Sequence, residues 1–242
     1  MRLDVYLTEN GMCKSRTAAQ NLIKSGGVSV NGKPCEKPSA EISETDSVEI
    51  TGEQLRYVGR GGLKLEGAIK TFELSISGFT CLDIGSSTGG FTDCMLQNGA
   101  KKVYAVDVGR DQLDEKLRND SRVISMEQTD IRTAQLPEKV DFVGTDVSFI
   151  SLKQVIPHIS RFLKCGGRAV ALIKPQFEAG RKALNKKGIV KDVKIRDAVC
   201  RDITEFAQQC GFRVLGVALS PIQGGDGNIE YLMCIEKVSE EL

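Results

Sequence analysis

Apolar side chains recur at helical spacing through residues 2–33. Leu3, Tyr6 and Leu7 mark one short helix, and Ala18, Ala19, Leu22 and Ile23 a second, the rhythm that a helix with one buried face requires. Ser15 is placed to cap the second helix and Gly26 to end it. Val28-Ser29-Val30 then alternates as a strand and enters an Asn31-Gly32 hairpin turn. Between residues 51 and 62 the rhythm lapses. Gly52, Gly59, Gly61 and Gly62 punctuate that stretch, which reads as a linker. Leu63, Leu65, Ala68, Ile69 and Phe72 restore helical spacing.

From Phe79 onward, short apolar runs alternate with helical patterns. Strands are expected at Thr80–Ile84, Lys102–Val106, Val123–Ser125, Val140–Thr145, Arg168–Ile173, Phe212–Leu219 and Ile229–Ile235. Helices are expected from Gly90 through Leu96, over Arg110–Arg118, from about Ser151 to Lys164, and over Val193–Cys210. Gly180–Asp192 reads as a mobile basic loop. Strands alternating with helices predict an α/β fold whose parallel sheet is covered on both faces. The expected organisation is a small α+β domain at 1–50, a linker at 51–62 and the sheet domain at 63–242.

Charge changes this picture little as a total and more by place. The 33 Lys and Arg nearly balance the 32 Asp and Glu, so any nucleic-acid affinity must come from a local patch. Residues 1–33 hold such an excess, with Arg2, Lys14, Arg16, Lys24 and Lys33 against Asp4 and Glu9. The next stretch, Glu36–Glu53, is acidic. No apolar run is long enough to span a bilayer. Met1-Arg2-Leu3-Asp4 opens straight into a helical pattern without a signal-peptide core, and a cytoplasmic location is expected. The 8 cysteines form no Cys-x-x-Cys pair and read as buried, reduced thiols. With one histidine, His158, histidine-based zinc sites and catalytic triads lack raw material. No metal site is expected.

Candidate chemistry gathers at the ends of the predicted strands. Asp83-Ile84-Gly85-Ser86-Ser87-Thr88-Gly89-Gly90-Phe91 follows the first of them, and a crevice at that position receives nucleotide-like ligands in open α/β sheets. The spacing Gly-x-x-x-Gly-Gly is not the Gly-x-Gly-x-x-Gly of a dinucleotide site. Asp107 ends the next strand, where a carboxylate can bind both ribose hydroxyls of an adenosyl group, and Asp130 stands where an adenine amine needs an acceptor. Lys64, Asp146, Lys174 and Glu230 fall near one edge of the predicted sheet. Lys64 sits in the first turn of its helix, an unfavourable place for a cation. As a set these four suit methylation of an alcohol. A hydroxyl needs a base to become a nucleophile, and a lysine can serve when burial or a neighbouring cation favours its neutral form.

Two resemblances sharpen the reading. Arg-Leu-Asp, Lys-Ser-Arg, Leu-Ile-Lys-Ser-Gly and Val-x-Val-Asn-Gly-Lys, in that order, resemble the small RNA-binding domain of a small-subunit ribosomal protein, over nearly all of residues 2–50. That likeness implies RNA contacts at Arg2, Lys14, Ser15, Arg16 and Lys24, with Arg60 beyond the module. Tyr57–Leu65, Asp146–Leu152, Lys174–Glu178, Lys187–Asp192 and Gly227–Leu232 resemble, in order, the TlyA (haemolysin A-like) family. That family joins this module to an FtsJ-like methyltransferase domain with a Rossmann-like class I sheet.

The resemblance implies 2′-O-methylation of cytidine in ribosomal RNA or a ribosomal subunit, with S-adenosyl-L-methionine as donor. It carries the Lys-Asp-Lys-Glu tetrad onto Lys64, Asp146, Lys174 and Glu230. The cofactor pocket falls on Asp83, Gly85, Ser86, Ser87, Gly89, Gly90, Phe91, Asp107 and Asp130. Gly59 departs from the serine common in the linker motif. The absence of an extension before Arg2 resembles the shorter subtype, which modifies only large-subunit RNA.

Three other readings compete. A nicotinamide-dependent oxidoreductase would explain the sheet and Asp107 but not the glycine spacing. A cytolysin calls for amphipathic or spanning segments, which the pattern lacks. A non-catalytic RNA-binding protein would not need the four polar residues to converge.

Overall fold

Helical rhythm in the first quarter of the chain and alternating runs in the rest become two compact units, Met1–Arg56 and Tyr57–Leu242. The computed structural model describes every residue except 14, 25, 44, 52–55, 225–226 and 239–242, and every remaining side chain except that of residue 21.

In the first unit, α1 (Leu3–Glu9) and α2 (Arg16–Lys24) precede β1 (Val28–Val30), β2 (Lys33–Pro34) and β3 (Val48–Ile50). The strands form an antiparallel sheet in the order β2-β1-β3. Asn31 and Gly32 take φ of 53° and 74°, the pair of positive values that a tight hairpin turn demands. Ser15 Oγ accepts the Ala18 N–H at 3.2 Å and caps α2. Leu3, Leu7, Ala19, Leu22, Ile23, Val28 and Ile42 form the core.

The second unit is a seven-stranded sheet. Its strands are β4 (Thr80–Ile84), β5 (Lys102–Val106), β6 (Val123–Met126), β7 (Val140–Thr145), β8 (Leu163–Ile173), β9 (Phe212–Leu219) and β10 (Tyr231–Lys237). The order is β6-β5-β4-β7-β8-β10-β9. The first five are parallel, and β10 runs antiparallel to both β8 and β9. The chain leaves β4 toward β5 and later returns to β7 on its other side. That reversal opens a crevice beyond the C-terminal ends of β4 and β7.

Alternation along each strand sends successive side chains to opposite faces. Leu82, Ile84, Ala169, Ala171, Met233 and Ile235 pack with Ile156 and Ile159 of α6 (Ile156–Phe162) and Ile203 of α8 (Val193–Gln209). Cys81, Val170, Leu172, Leu232 and Cys234 pack with Leu65 and Ala68 of α3 (Gly61–Thr71) and Phe91, Cys94 and Met95 of α4 (Gly90–Gln97). Among the described residues no disulfide joins the cysteines, and burial pushes the Cys81 thiol up to about 12. Among the described residues no helix is long and apolar enough to cross a membrane.

Three expectations differ from the fold. The glycine-rich stretch before α3 is packed backbone rather than open chain from Tyr57 onward. Tyr57 is buried, a Cβ on Gly62 would lie 2.3 Å from its ring, and one on Gly90 would lie 2.9 Å from the Gly62 nitrogen. Those glycines let α3 and α4 approach at their N-termini. The helix expected over Arg110–Arg118 shrinks to α5 (Glu115–Arg118). The Glu127 carboxylate accepts the N–H groups of Asp111, Gln112 and Leu113, and Asp114 caps what remains. The helix expected from Ser151 to Lys164 breaks into a 3₁₀ turn at Leu152–Gln154 and α6. Leu163 already pairs with Val140 as the start of β8.

Candidate active site

Four charged side chains meet beyond the strand ends. Asp146 follows β7 and Lys174 follows β8, while Lys64 comes from the first turn of α3 and Glu230 immediately precedes β10. Lys174 Nζ lies 2.6 Å from Asp146 Oδ1. Lys64 Nζ lies 3.6 Å from Asp146 Oδ2 and 2.7 Å from Glu230 Oε2. The two lysines and two carboxylates thus form one unbroken series of ion pairs. Both lysines are only 8% exposed, and burying two cations is tolerable because the buried Glu230 and the half-buried Asp146 are paired with them. The first-turn position of Lys64, unfavourable for the helix dipole, is offset by these carboxylates.

Two neutral side chains extend the series at its ends. Ser148 Oγ accepts from Lys174 Nζ at 2.8 Å, and Gln176 Nε2 donates to Glu230 Oε1 at 3.1 Å. Sequence reading overlooked both. Ser148 stands two positions after Asp146 in extended chain, the spacing that returns a side chain to the same side, and Gln176 stands in the first turn of the short helix Pro175–Glu178 that Lys174 caps.

A cavity of roughly 460 Å³ adjoins this cluster. Ile84, Val106, Val108, Ile131, Val147 and Ile150 supply apolar walls, with Gly85, Ser87, Asp107, Asp130 and Asp146 among them. These walls were also missed, since a single apolar residue after a strand carries no signal of its own. A smaller cavity of about 200 Å³ continues it, lined by Ser86, Gly90, Phe91, Ser148 and Lys174. Gly85 and Asp146 line both.

The glycine loop is fixed from both sides. Asp107 accepts the Ser87 N–H at 2.8 Å and the Gly109 N–H at 2.7 Å, which ties the loop to the end of β5. Gly85 has φ of 81°, a conformation that L side chains rarely adopt. Gly89, at the N-cap of α4, has φ of 95°. Ser86 Oγ is buried without a hydrogen-bond partner. Apolar walls, carboxylates at the rim and this unfilled hydroxyl together suit an adenosyl ligand with a polar tail.

Two of the expected cofactor residues are otherwise engaged. Asp83 is fully buried, lines neither cavity, and accepts both the N–H and the hydroxyl of Thr92 at 2.9 and 2.6 Å. It anchors the start of α4 beneath the loop. Burial pushes its carboxyl up to about 7. Asp130 reaches the larger cavity, yet its carboxylate is gripped by the Arg132 guanidinium at 2.6–3.0 Å, which holds it down to about 2.

The segment after Lys174 is tethered to the same corner. Glu178, at the end of α7 (Pro175–Glu178), accepts from Ser151 and Leu152. Asn228 accepts the Val190 N–H and donates to the Gly188 carbonyl, two residues from Glu230. Among the described residues no group of three His, Cys, Asp or Glu could hold a metal ion.

The expected RNA contacts do not all come together. In the first unit, Arg2 and Arg16 both donate to Asp4, at 2.9 and 3.0 Å, and Gln20 joins them at 2.8 Å. Asp4 is fully buried, and the Arg2 and Arg16 guanidiniums and the Gln20 amide hold its carboxyl well below the usual range. Ser15 serves as a helix cap. Lys24 is exposed in the last turn of α2, where a cation is favourable. Lys14 lies outside the described residues. Arg60 belongs to the second unit, at the N-cap of α3.

Comparison with known proteins places both units in families. The FtsJ-like methyltransferase model matches residues 57–237 and the S4 domain model residues 1–48. YqxC of Bacillus subtilis (strain 168), named as a candidate rRNA methyltransferase, is 48% identical over 96% of this chain and 84% of that protein. The 16S/23S rRNA (cytidine-2′-O)-methyltransferase TlyA of Mycobacterium tuberculosis is 39% identical over 96% of this chain and 88% of its own. The 23S rRNA (cytidine-2′-O)-methyltransferase TlyA of Campylobacter jejuni is 35% identical over 96% and 97%. With its second unit matched from Tyr57 into the last strand, the chain belongs to the FtsJ-like methyltransferase family, and it carries an S4 domain ahead of the methyltransferase domain.

Proposed function

We propose that this methyltransferase transfers a methyl group from S-adenosyl-L-methionine to the ribose 2′-hydroxyl of a cytidine in ribosomal RNA, in the large subunit. The observation that carries the reading is the ion-paired series Glu230–Lys64–Asp146–Lys174 bordering the crevice. The two TlyA relatives share cytidine 2′-O-methylation of 23S RNA in their names, which supports the choice of nucleotide and subunit. Ribosomal RNA as substrate supports a cytoplasmic location, and Arg2, Lys14, Arg16 and Lys24 of the S4 domain would supply phosphate contacts.

When bound, the donor supplies a methyl group already activated on a sulfonium. Gly85, Ser86, Ser87, Gly89 and Phe91 would hold its amino-acid end, and Asp107 the ribose hydroxyls. With the donor bound, Lys174 would take the proton of the RNA 2′-hydroxyl and so free that oxygen to accept the methyl group. Asp146 orients Lys174 and Lys64 together, and Glu230 steadies Lys64, so the site holds two amines without excess positive charge. Alignment of the reacting atoms is the larger part of the task.

The test is transfer of labelled methyl from S-adenosyl-L-methionine to purified ribosomal subunits, assayed separately. Alkali-resistant label on the large subunit is expected, as a 2′-O-methyl blocks cleavage at that position. Label on both subunits would overturn the large-subunit assignment. No label on either, with donor binding intact, would overturn the acceptor.

A further inference from the structure

Lys174 is held by two groups, and only one of them is charged. Its Nζ lies 2.6 Å from Asp146 Oδ1 and donates to Ser148 Oγ at 2.8 Å. The Phe177 ring lies 5.8 Å from the same nitrogen. Asp146 and Ser148 both line the two adjoining cavities, and Lys174 lines the smaller one.

A primary amine that acts as a base has two N–H bonds and one lone pair on its nitrogen, at tetrahedral positions. The Asp146 contact is an ion pair whose Oδ1 accepts no hydrogen bond, so it holds the nitrogen in place without fixing where its N–H groups point. Ser148 Oγ is the acceptor that fixes one of them. With one N–H on Ser148, rotation about the Cε–Nζ bond is restrained, and the remaining positions, the lone pair's among them, are set relative to the smaller cavity that Lys174 lines.

We propose that Ser148 is a positioning residue that turns the Lys174 lone pair toward the hydroxyl to be methylated. The inference rests on the reading of Lys174 as the base. During transfer the hydroxyl proton forms the third N–H of Lys174 while the oxygen pair bonds the methyl carbon and the carbon–sulfur pair goes to sulfur. Ser148 accepts a hydrogen bond before and after, and it accepts more strongly from the ammonium than from the amine.

The test uses the full chain with Ser148→Ala, Ser148→Thr and Lys174→Ala. Single-turnover methylation of unmethylated large ribosomal subunits is followed across pH, and donor affinity is read by calorimetry. Ser148→Ala is expected to lower the rate at saturation by roughly tenfold, the order of one hydrogen bond to a charged group. Donor affinity and the RNA KM stay unchanged, and Ser148→Thr restores the rate. Losing the acceptor that favours the ammonium moves the acid limb of the pH–rate profile to lower pH. Wild-type rate and profile in Ser148→Ala, with Lys174→Ala inactive, would overturn the role of Ser148 while leaving the base in place. A loss that Ser148→Thr fails to restore would also overturn it. Full activity in Lys174→Ala would overturn the underlying reading itself.

Discussion

Asp146 and Lys174 leave the ends of adjacent parallel strands and meet as an ion pair at 2.6 Å. Neither has another route to that contact, because the register of β7 on β8 fixes both exits. Lys174→Ala should fold and bind the donor but lose methyl transfer by roughly 10²- to 10⁴-fold, the usual worth of a positioned base. Single-turnover kinetics with labelled donor checks this, and retained activity would remove lysine from the mechanism.

Gly85 places its φ of 81° where a Cβ would stand 2.8 Å from the Asp146 carbonyl oxygen. Gly85→Ala should cost about 1–2 kcal/mol of stability from the left-handed backbone alone. It should also weaken donor binding by displacing the loop. Urea unfolding and calorimetric titration separate the two effects. Undiminished donor affinity would take the loop out of the binding site.

The buried carboxyl of Asp83 supplies a pH dependence with a definite sign. Burial, reinforced by repulsion from Asp146 and opposed by the Thr92 hydrogen bonds, raises it from 3.8 to about 7. Between these values the unfolded chain is ionised at this position while the folded chain keeps its proton. Stability contributed there is complete below 3.8 and declines as pH rises toward 7, by at most ~1.4 kcal/mol per pH unit. Asp83→Asn should flatten the change in urea midpoint between pH 5 and pH 7. An equal slope in the variant would assign the dependence to another group.

Arg16 shares the buried Asp4 with Arg2, so its charge is best removed without losing a donor. Arg16→Gln should preserve the fold of the S4 domain and lower the slope of log affinity against log salt by ~0.7–0.9 for one lost phosphate contact. Titration of ribosomal RNA fragments at several salt concentrations measures it. An unaltered slope would exclude Arg16 from the RNA surface.

Local periodicity made most of the second unit readable, because β4, β5 and β7 are apolar runs bounded by turn residues. It could not show that β10 inserts between β8 and β9, since pairing partners leave no trace in a single strand's pattern. Nor could it show that Glu127 would capture the N–H groups that Arg110–Leu113 needed for a helix. At the candidate site, the charged residues stood out by their strand-end positions and by resemblance. Ser148 and Gln176 did not, because a neutral side chain reveals its purpose only through the partner it touches. Gly59–Gly62 misled for a related reason. Glycine marks both free chain and the tightest backbone contact, and only the presence of Tyr57 and Gly90 on the other side distinguishes them.

Glu230 reaches Lys64 across 166 residues of chain, whereas the larger cavity is built entirely from residues 84–155. The two parts of the site therefore have different contact orders, and long-range closure is the slower event in folding. During refolding the donor crevice should form first and the charged cluster last. A chain stalled before β10 docks would be able to take up its donor yet have no means of using it.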